Sequence, residues 1–345
     1  MIARTLVSLF LAASLVPAAL EGAPARPLRL YWIDVEGGAA TLIVTPAGES
    51  VLIDTGNPGG RDAQRIHKVA TEAAGLRRID HVIVTHFHRD HFGGVAELAR
   101  LLPVGTLYER DLTKAPEAER AQPELEAYKT AAVEHRASLP TGLALRQERG
   151  TAPVALRIVG ADTEFGAPGG ARVNAAICAG NTAKDKDESD NRNSVVSLLS
   201  FGGFRFFDGG DLTWNIEAGL VCPKDRTGGP VDVFQIDHHG VDASNNPVLL
   251  KTLRPSVVVV NNGPRKGGEP GTFATLSGLP SAKAIYQMHR NVAAPASNTA
   301  SERIANEDED CGAQFIRLTV DPSGNSYEVW VPSTGHRQSY KTVTK

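Results

Sequence analysis

The chain has 345 residues, and its 36 lysines and arginines against 39 aspartates and glutamates leave a net charge of −3. No run of like charge is long enough to act as a polyanion-binding tail, which argues against tight, sequence-independent nucleic-acid binding built on many phosphate contacts; a small phosphodiester is not excluded. Length alone would allow two domains, and a chain of this size buries a large core.

The first segment reads as an address. Arg4 supplies a positive n-region, Thr5–Val16 a short apolar stretch, and Pro17–Ala25 small residues suited to cleavage, the pattern of a secretory signal peptide. The apolar stretch is well short of the roughly 20 residues needed to span a bilayer. Residues 1–25 are therefore expected to be removed, leaving 26–345 as one periplasmic or secreted domain without a membrane anchor. In an oxidising compartment one pair among Cys178, Cys222 and Cys311 is expected to be bridged, with one thiol over. All three pairings stay open, as does the oligomeric state.

Along the mature chain, apolar runs punctuated by Gly and Pro predict strands at Leu28–Val35, Ala40–Val44, Ser50–Ile53, Val82–Thr85, Leu156–Val159, Ser194–Phe201, Phe204–Phe207, Val231–Ile236, Ser256–Val260, Ala284–Gln287, Gln314–Val320 and Ser326–Pro332. Helical spacing predicts Asp62–Ala74, Val95–Leu102, Asn246–Leu253 and a stretch within Thr272–Leu279. Glu117–Arg136 has helical composition too, and forms either a cap over the site or a peripheral insertion. The inventory is mixed α/β.

The chemistry concentrates in Thr85-His86-Phe87-His88-Arg89-Asp90-His91-Phe92-Gly93-Gly94, directly after the strand Val82–Thr85. His86 and His88 are two residues apart, so an extended backbone points both rings the same way and lets them chelate one ion. Asp90 and His91, on the following turn, face a second.

This motif resembles the signature of the metallo-β-lactamase superfamily, and the resemblance extends from Leu28 to about Val331. Val51-Leu52-Ile53-Asp54-Thr55-Gly56 is similar to the family's strand ending in Asp-x-Gly, whose carboxylate (here Asp54) braces the metal loop from behind. Phe204–Phe207 followed by Asp208-Gly209-Gly210-Asp211-Leu212 resembles the segment carrying the metal-bridging aspartate. Asp211 is assigned that role, with Asp208 as the competitor. Asp237-His238-His239-Gly240 resembles the terminal ligand in its His-His-Gly form, which implies His238 as the ligand and His239 as a neighbour that either supports a ligand from behind or touches substrate.

Within the superfamily, Asp190-Asn191-Arg192-Asn193-Ser194, the His-His-Gly and Asn261-Asn262-Gly263 resemble the ComEC-type competence hydrolase branch. That branch places an Asn-x-x-Ser element where others carry a third histidine ligand, and Asn191 and Ser194 match it; no histidine lies between His135 and His238. The chain departs from the branch at Glu36-Gly37-Gly38-Ala39-Ala40 and Gly268-Glu269-Pro270, which argues against transferring a DNA substrate to it.

The resemblance implies an α/β, four-layer αββα sandwich and a hydrolase using two divalent ions. His86, His88 and Asn191 would hold one, Asp90, His91 and His238 the other, and Asp211 both, with Asp90, Asp211 and His239 serving catalysis. Zinc suits the histidine-rich set, with manganese or iron as substitutes. Water activated between the ions would attack a phosphoester or phosphodiester of a small anionic substrate, with Arg265, Lys266 and His289 as candidate contacts to its anion. The alternatives are a lactone, β-lactam or amide hydrolase, disfavoured by the missing third histidine, and a non-catalytic metal-binding protein.

Overall fold

The computed structural model describes residues 25–166 and 172–343. The expected signal segment, 1–25, lies outside the described residues apart from Ala25. Two nine-stranded sheets dominate. The first runs, edge to edge, through His336–Lys341, Ser326–Val331, Ile316–Val320, Leu28–Trp32, Thr41–Val44, Ser50–Ile53, Ile79–Ile83, Val104–Glu109 and His135–Ser138. Its pairing is antiparallel up to Ser50–Ile53 and parallel beyond. The second runs through Ile304–Asn306, Ala284–His289, Val257–Val260, Val233–Gln235, Phe204–Asp208, Val196–Phe201, Val154–Ala161 and Gly142–Leu143, with Glu164–Phe165 also paired to Val154–Ala161.

Strand composition accounts for the layering. Val257–Val260 is four valines buried throughout, as expected of a parallel strand covered on both faces. Leu30, Trp32, Ile43, Val51 and Ile53 of the first sheet meet Leu199, Phe201, Phe206, Val233 and Val259 of the second in a central core. On the outer face of the first sheet, Ile66, Ala70, Leu98 and Leu125 cover Leu42, Leu52 and Val82. On the outer face of the second, Leu220, Leu249, Leu250 and Leu276 cover Phe207, Phe234 and Val258. The result is helix, sheet, sheet, helix: the four-layer α/β sandwich. Gln235 Oε1 accepts from Trp32 Nε1 at 2.8 Å and Thr41 Oγ1 at 2.5 Å, a buried polar tie between the sheets.

The parallel strands Ser50–Ile53, Ile79–Ile83, Phe204–Asp208, Val233–Gln235 and Ala284–His289 deliver the loops that carry Asp54, His86, Asp211, His239 and Asn291 at their carboxyl ends. That is where α/β sheets bind ligands. Several elements differ from expectation. Glu117–Arg136 is not one helix: Glu117–Arg120 and Glu124–Lys129 are separate turns, begun after Pro116 and Pro123, and His135 and Arg136 belong to an edge strand. The segment packs on the flank of the metal loop, where Tyr128 meets Phe87 and Phe92 edge-on at 6.0 and 5.3 Å. Cys178 and Cys222 form the disulfide, and Cys311 is free.

Candidate metal centre

After Ile83 the chain bends at His86 and Phe87, is extended at His88 (φ −97°, ψ 143°) and then enters one turn of helix, Arg89–Phe92. The rings of His86 and His88 nevertheless converge, 4.7 Å apart and edge to face, while Asp90 and His91 project from the turn. Close approach explains the Gly-Gly that follows. A Cβ at Gly93 would lie 2.2 Å from Arg89 O, and one at Gly94 would lie 2.2 Å from Thr55 O. Any larger residue would push the loop off the strand that supports it.

The donors converge in two groups that share one carboxylate. In the first, His86 Nε2 lies 3.0 Å from His88 Nδ1 and 3.8 Å from Asp211 Oδ2. In the second, His91 Nε2 and His239 Nε2 are 3.3 Å apart, and each faces Asp90 Oδ2, at 3.6 and 3.4 Å, and Asp211 Oδ2, at 3.2 and 3.3 Å. One N–H···N hydrogen bond between neutral rings would account for either nitrogen pair alone, but here several ring nitrogens and carboxylate oxygens face one another at once. Donors about 2.0–2.2 Å from a common point stand about this far from one another, so the set fits metal ions.

Electrostatics point the same way. Burial and the neighbouring His91 push His86 well below the usual imidazole range, leaving a neutral ring with a free lone pair. Burial would raise the Asp211 carboxyl, yet His239, His91 and His238 outweigh it and hold it well below the ordinary value. Asp90 behaves alike, through His91, His239 and Lys266. Burial opposes charge on His91, but Asp211, Asp90 and Asp54 around it hold its pKa well above the usual range. The second group therefore favours a positive charge at its centre, which a cation supplies.

Supporting contacts fix the rings. Asp54, at φ 61°, accepts from His91 Nδ1 and Thr85 Oγ1, both at 2.7 Å, and from Thr85 N at 2.8 Å. The buried Asp190 carboxylate accepts from Phe87 N at 2.7 Å and from Arg110, pinning the loop between the first two histidines. Ser194 Oγ accepts from Asp211 N at 3.1 Å. Glu119 Oε1 lies 3.1 Å from His88 Nε2. No sequence motif marks Glu119, which reaches the site from the helix after Pro116.

The His-His-Gly pair is placed differently from expectation. His238 and His239 both adopt left-handed backbone, at φ 53° and ψ 47° and at φ 53° and ψ 10°, a conformation costing of order 1 kcal/mol or more per non-glycine residue. The rings consequently diverge. His239, fully buried, enters the second donor group in the position expected of His238. His238 turns toward the first group: its Nε2 lies 3.8 Å from Asp211 Oδ2 and 3.1 Å from Asn191 Nδ2. Asn191 Oδ1 is buried without a partner. An imidazole thus adjoins Asn191, in the stretch between His135 and His238 that carries no histidine of its own.

Asp208 lies beneath, its Oδ1 accepting from Gly210 N and its carboxyl pushed up to about 7, by burial first; it joins neither donor group. Among the expected anion contacts, Lys266 Nζ pairs with Asp90, at the centre. Arg265 does not reach the centre, being an exposed partner of Glu309. His289 is a correction: rather than lining a pocket it is fully buried, with Nε2 2.7 Å from Asp34 Oδ1, in a cluster with Cys311 and Arg65. Its strand, expected to end at Gln287, runs two residues further to His289, which carries the ring into the seam between the sheets.

Comparison with known proteins agrees with this geometry. Residues 33–171 match the family model of the metallo-beta-lactamase superfamily. The chain is 26% identical to competence protein ComA of Neisseria gonorrhoeae over 229 residues, 66% of this chain and 26% of that protein. It is 36% identical over 86 residues, 23% of this chain and 27% of the other, to a UPF0173 metal-dependent hydrolase of Cupriavidus taiwanensis. The chain thus spans about a quarter of the length of these curated relatives. Among solved structures, a putative metal-dependent hydrolase from Parabacteroides distasonis superposes with a TM-score of 0.38 at 11% identity, over 75% of this chain and 92% of that one. The matched segment holds the His86–His91 array, so it is to the metallo-β-lactamase superfamily that this part of the chain is similar, and the sandwich and Asp211 complete a group of side chains that could hold metal around it.

Proposed function

We propose that the chain is an exported, dinuclear metal-dependent hydrolase of phosphoesters, phosphodiesters foremost, acting on a small anionic substrate. The observation that carries this reading is the sharing of Asp211 Oδ2 between the two donor groups. When bound, two ions at such a site lower the pKa of water and polarise the oxygen of an electrophile. Zinc is favoured by the nitrogen-rich donors, with manganese or iron as substitutes.

The chain's own residues would do the rest. Asp211 and Asp90, held ionised by the surrounding imidazoles, supply the negative charge that keeps both ions in place. Asp90 also faces the centre with one oxygen, where it can accept a proton from attacking water. Lys266 pairs with Asp90 at the mouth, and on ligation of Asp90 its ammonium becomes available to an anionic substrate. Glu119, Asp54 and Asp190 keep the rings and loop in register. Export is supported by the signal-like residues 1–25 and by the Cys178–Cys222 disulfide.

A second reading, hydrolysis of a lactone, β-lactam or amide, draws support from His238, whose ring adjoins the position where a third histidine is missing. One experiment separates the two. Metal content is measured on the loaded protein, and turnover is measured on a chromogenic phosphodiester, phosphomonoester, lactone and β-lactam. Two ions per chain with phosphoester turnover are expected; turnover confined to the lactone or β-lactam would replace the first reading with the second. One ion and no turnover would leave a binding protein.

A further inference from the structure

A cavity of about 450 Å³ opens beside His238, lined by Lys184, Asp185, Asp187, Thr213, Trp214 and Ala243 among others. A second, of about 340 Å³, shares Asp187, Thr213 and Asn215 with it and continues toward Arg192 and Asn193. Together they form a groove that begins at His238, beside the first donor group.

The wall of this groove is built. Trp214 Nε1 donates to Thr182 O at 2.6 Å, and the Lys184 ammonium sits 3.5 Å from the centre of its ring. Asn215 exchanges two hydrogen bonds with the backbone of Lys184, through Nδ2 at 2.7 Å and Oδ1 at 3.1 Å, and Lys184 Nζ is bonded to Asp242 O. Lys184 and Asn215 are thus occupied in holding the segment 182–187 against the indole. Asp187 accepts from Ser189, while Asp185 and Asp187 add negative charge at the rim. With Lys184 held on the indole and the other lining cations, Lys186 and Arg192, paired with Glu188, the groove suits an uncharged planar group whose N–H donors can meet the carboxylates of Asp185 and Asp187.

We propose that this groove is the subsite for the organic group carried by the substrate, and that Trp214 selects a planar, uncharged, aromatic group attached to the phosphoryl centre. The proposal rests on the phosphoester reading for the word phosphoryl, but the aromatic preference stands by itself. An aromatic ring seated on the indole face that Lys184 leaves uncovered gains a stacking contact that a methyl group lacks, of the order of ten-fold in affinity.

The test uses the metal-loaded protein and two ligands that cannot be hydrolysed, phenylphosphonate and methylphosphonate, with affinities measured by calorimetry. In the wild type phenylphosphonate is expected to bind about ten-fold tighter. Trp214→Ala is expected to erase that difference while methylphosphonate affinity and metal content stay unchanged. Trp214→Phe, which retains a ring and guards against a misfolded alanine variant, should keep part of the preference. Equal binding of the two phosphonates by the wild type, or a preference that survives Trp214→Ala, overturns the subsite. Failure of the phosphoester reading looks different: no phosphoester is turned over, yet benzoate binds more tightly than acetate and Trp214→Ala removes that preference too.

Discussion

Asp211 Oδ2 faces His86, His91, His238 and His239, at 3.8, 3.2, 3.8 and 3.3 Å. Asp211→Ala removes that oxygen. Metal content measured by mass spectrometry after dialysis should fall from two ions toward one or none, and hydrolysis should drop to background while the circular dichroism of the fold persists. Full occupancy in this variant would move the bridge elsewhere. The histidine pair gives a sharper contrast. His239→Ala deletes a ring from the second donor group and should cost an ion outright. His238→Ala, beside Asn191, should weaken the first group and lower kcat with the second ion retained. Equal metal loss in both variants would contradict the divergent ring directions. Most of this centre was legible in the sequence because four donors are crowded into His86–His91 directly after the strand Ile79–Ile83, although the segment expected to be extended bends at His86 and Phe87. The roles of His238 and His239 were not. Neighbouring residues separate by backbone conformation, and nothing in the letters announces two consecutive left-handed histidines.

At the scale of elements, the insertion Glu117–Lys129 acts on the metal loop from its flank. Glu119 holds His88 Nε2, Gln122 Nε2 donates to Phe87 O at 2.7 Å, and Tyr128 packs on Phe87 and Phe92. Glu119→Ala frees the His88 ring without removing a ligand. Loss of such a supporting partner typically costs 10–100-fold in metal affinity or activity, so a chelator titration should shift by about that factor for one ion and leave the other in place. Glu119→Gln, which keeps an oxygen for a protonated Nε2, should recover much of it. An unchanged titration in Glu119→Ala would reduce the contact to packing. The strands of the central core were readable because both their faces are apolar and Gly or Pro bounds them. Val104–Glu109 escaped notice since Gly105 and Thr106 interrupt its apolar run, although a Cβ at Gly105 would lie 2.4 Å from Asp80 O on the neighbouring strand. Helix Trp214–Val221 was hidden for a related reason: its core-facing residues include Glu217, which accepts from the backbone N–H groups of Asn245 and Asn246 at 2.7 Å instead of facing water.

For the molecule as a whole, Asp232 ties together segments distant from the metal centre. Its Oδ2 accepts from Arg205 N at 2.8 Å and its Oδ1 from Val343 N at 2.6 Å, while its own carbonyl receives Val257 N at 2.9 Å. The second sheet and the C-terminal hairpin of the first are thereby joined through one buried carboxyl. Burial raises that carboxyl from 3.8 to about 6, a rise only partly opposed by the N–H groups of Val343 and Arg205. Because the folded pKa lies above the unfolded one, the folded state binds the proton more tightly. The associated stability is fully present below about pH 4 and is lost as pH rises through about 6. Its size is at most about 3 kcal/mol, from roughly 1.4 kcal/mol for each pH unit between the two pKa values. Asp208 and His238 titrate near the ends of the same range, at about 7 and about 4, so the informative quantity is a difference between two proteins. Asp232→Asn stays neutral throughout and keeps one acceptor oxygen, for either Arg205 N or Val343 N. The wild type should therefore lose more of its Tm than Asp232→Asn between pH 4 and pH 7, by up to several degrees, when both are melted with the same metal loading. Parallel Tm profiles would mean that Asp232 keeps its ordinary pKa and that the hydrogen bonds alone, not the proton, hold the seam.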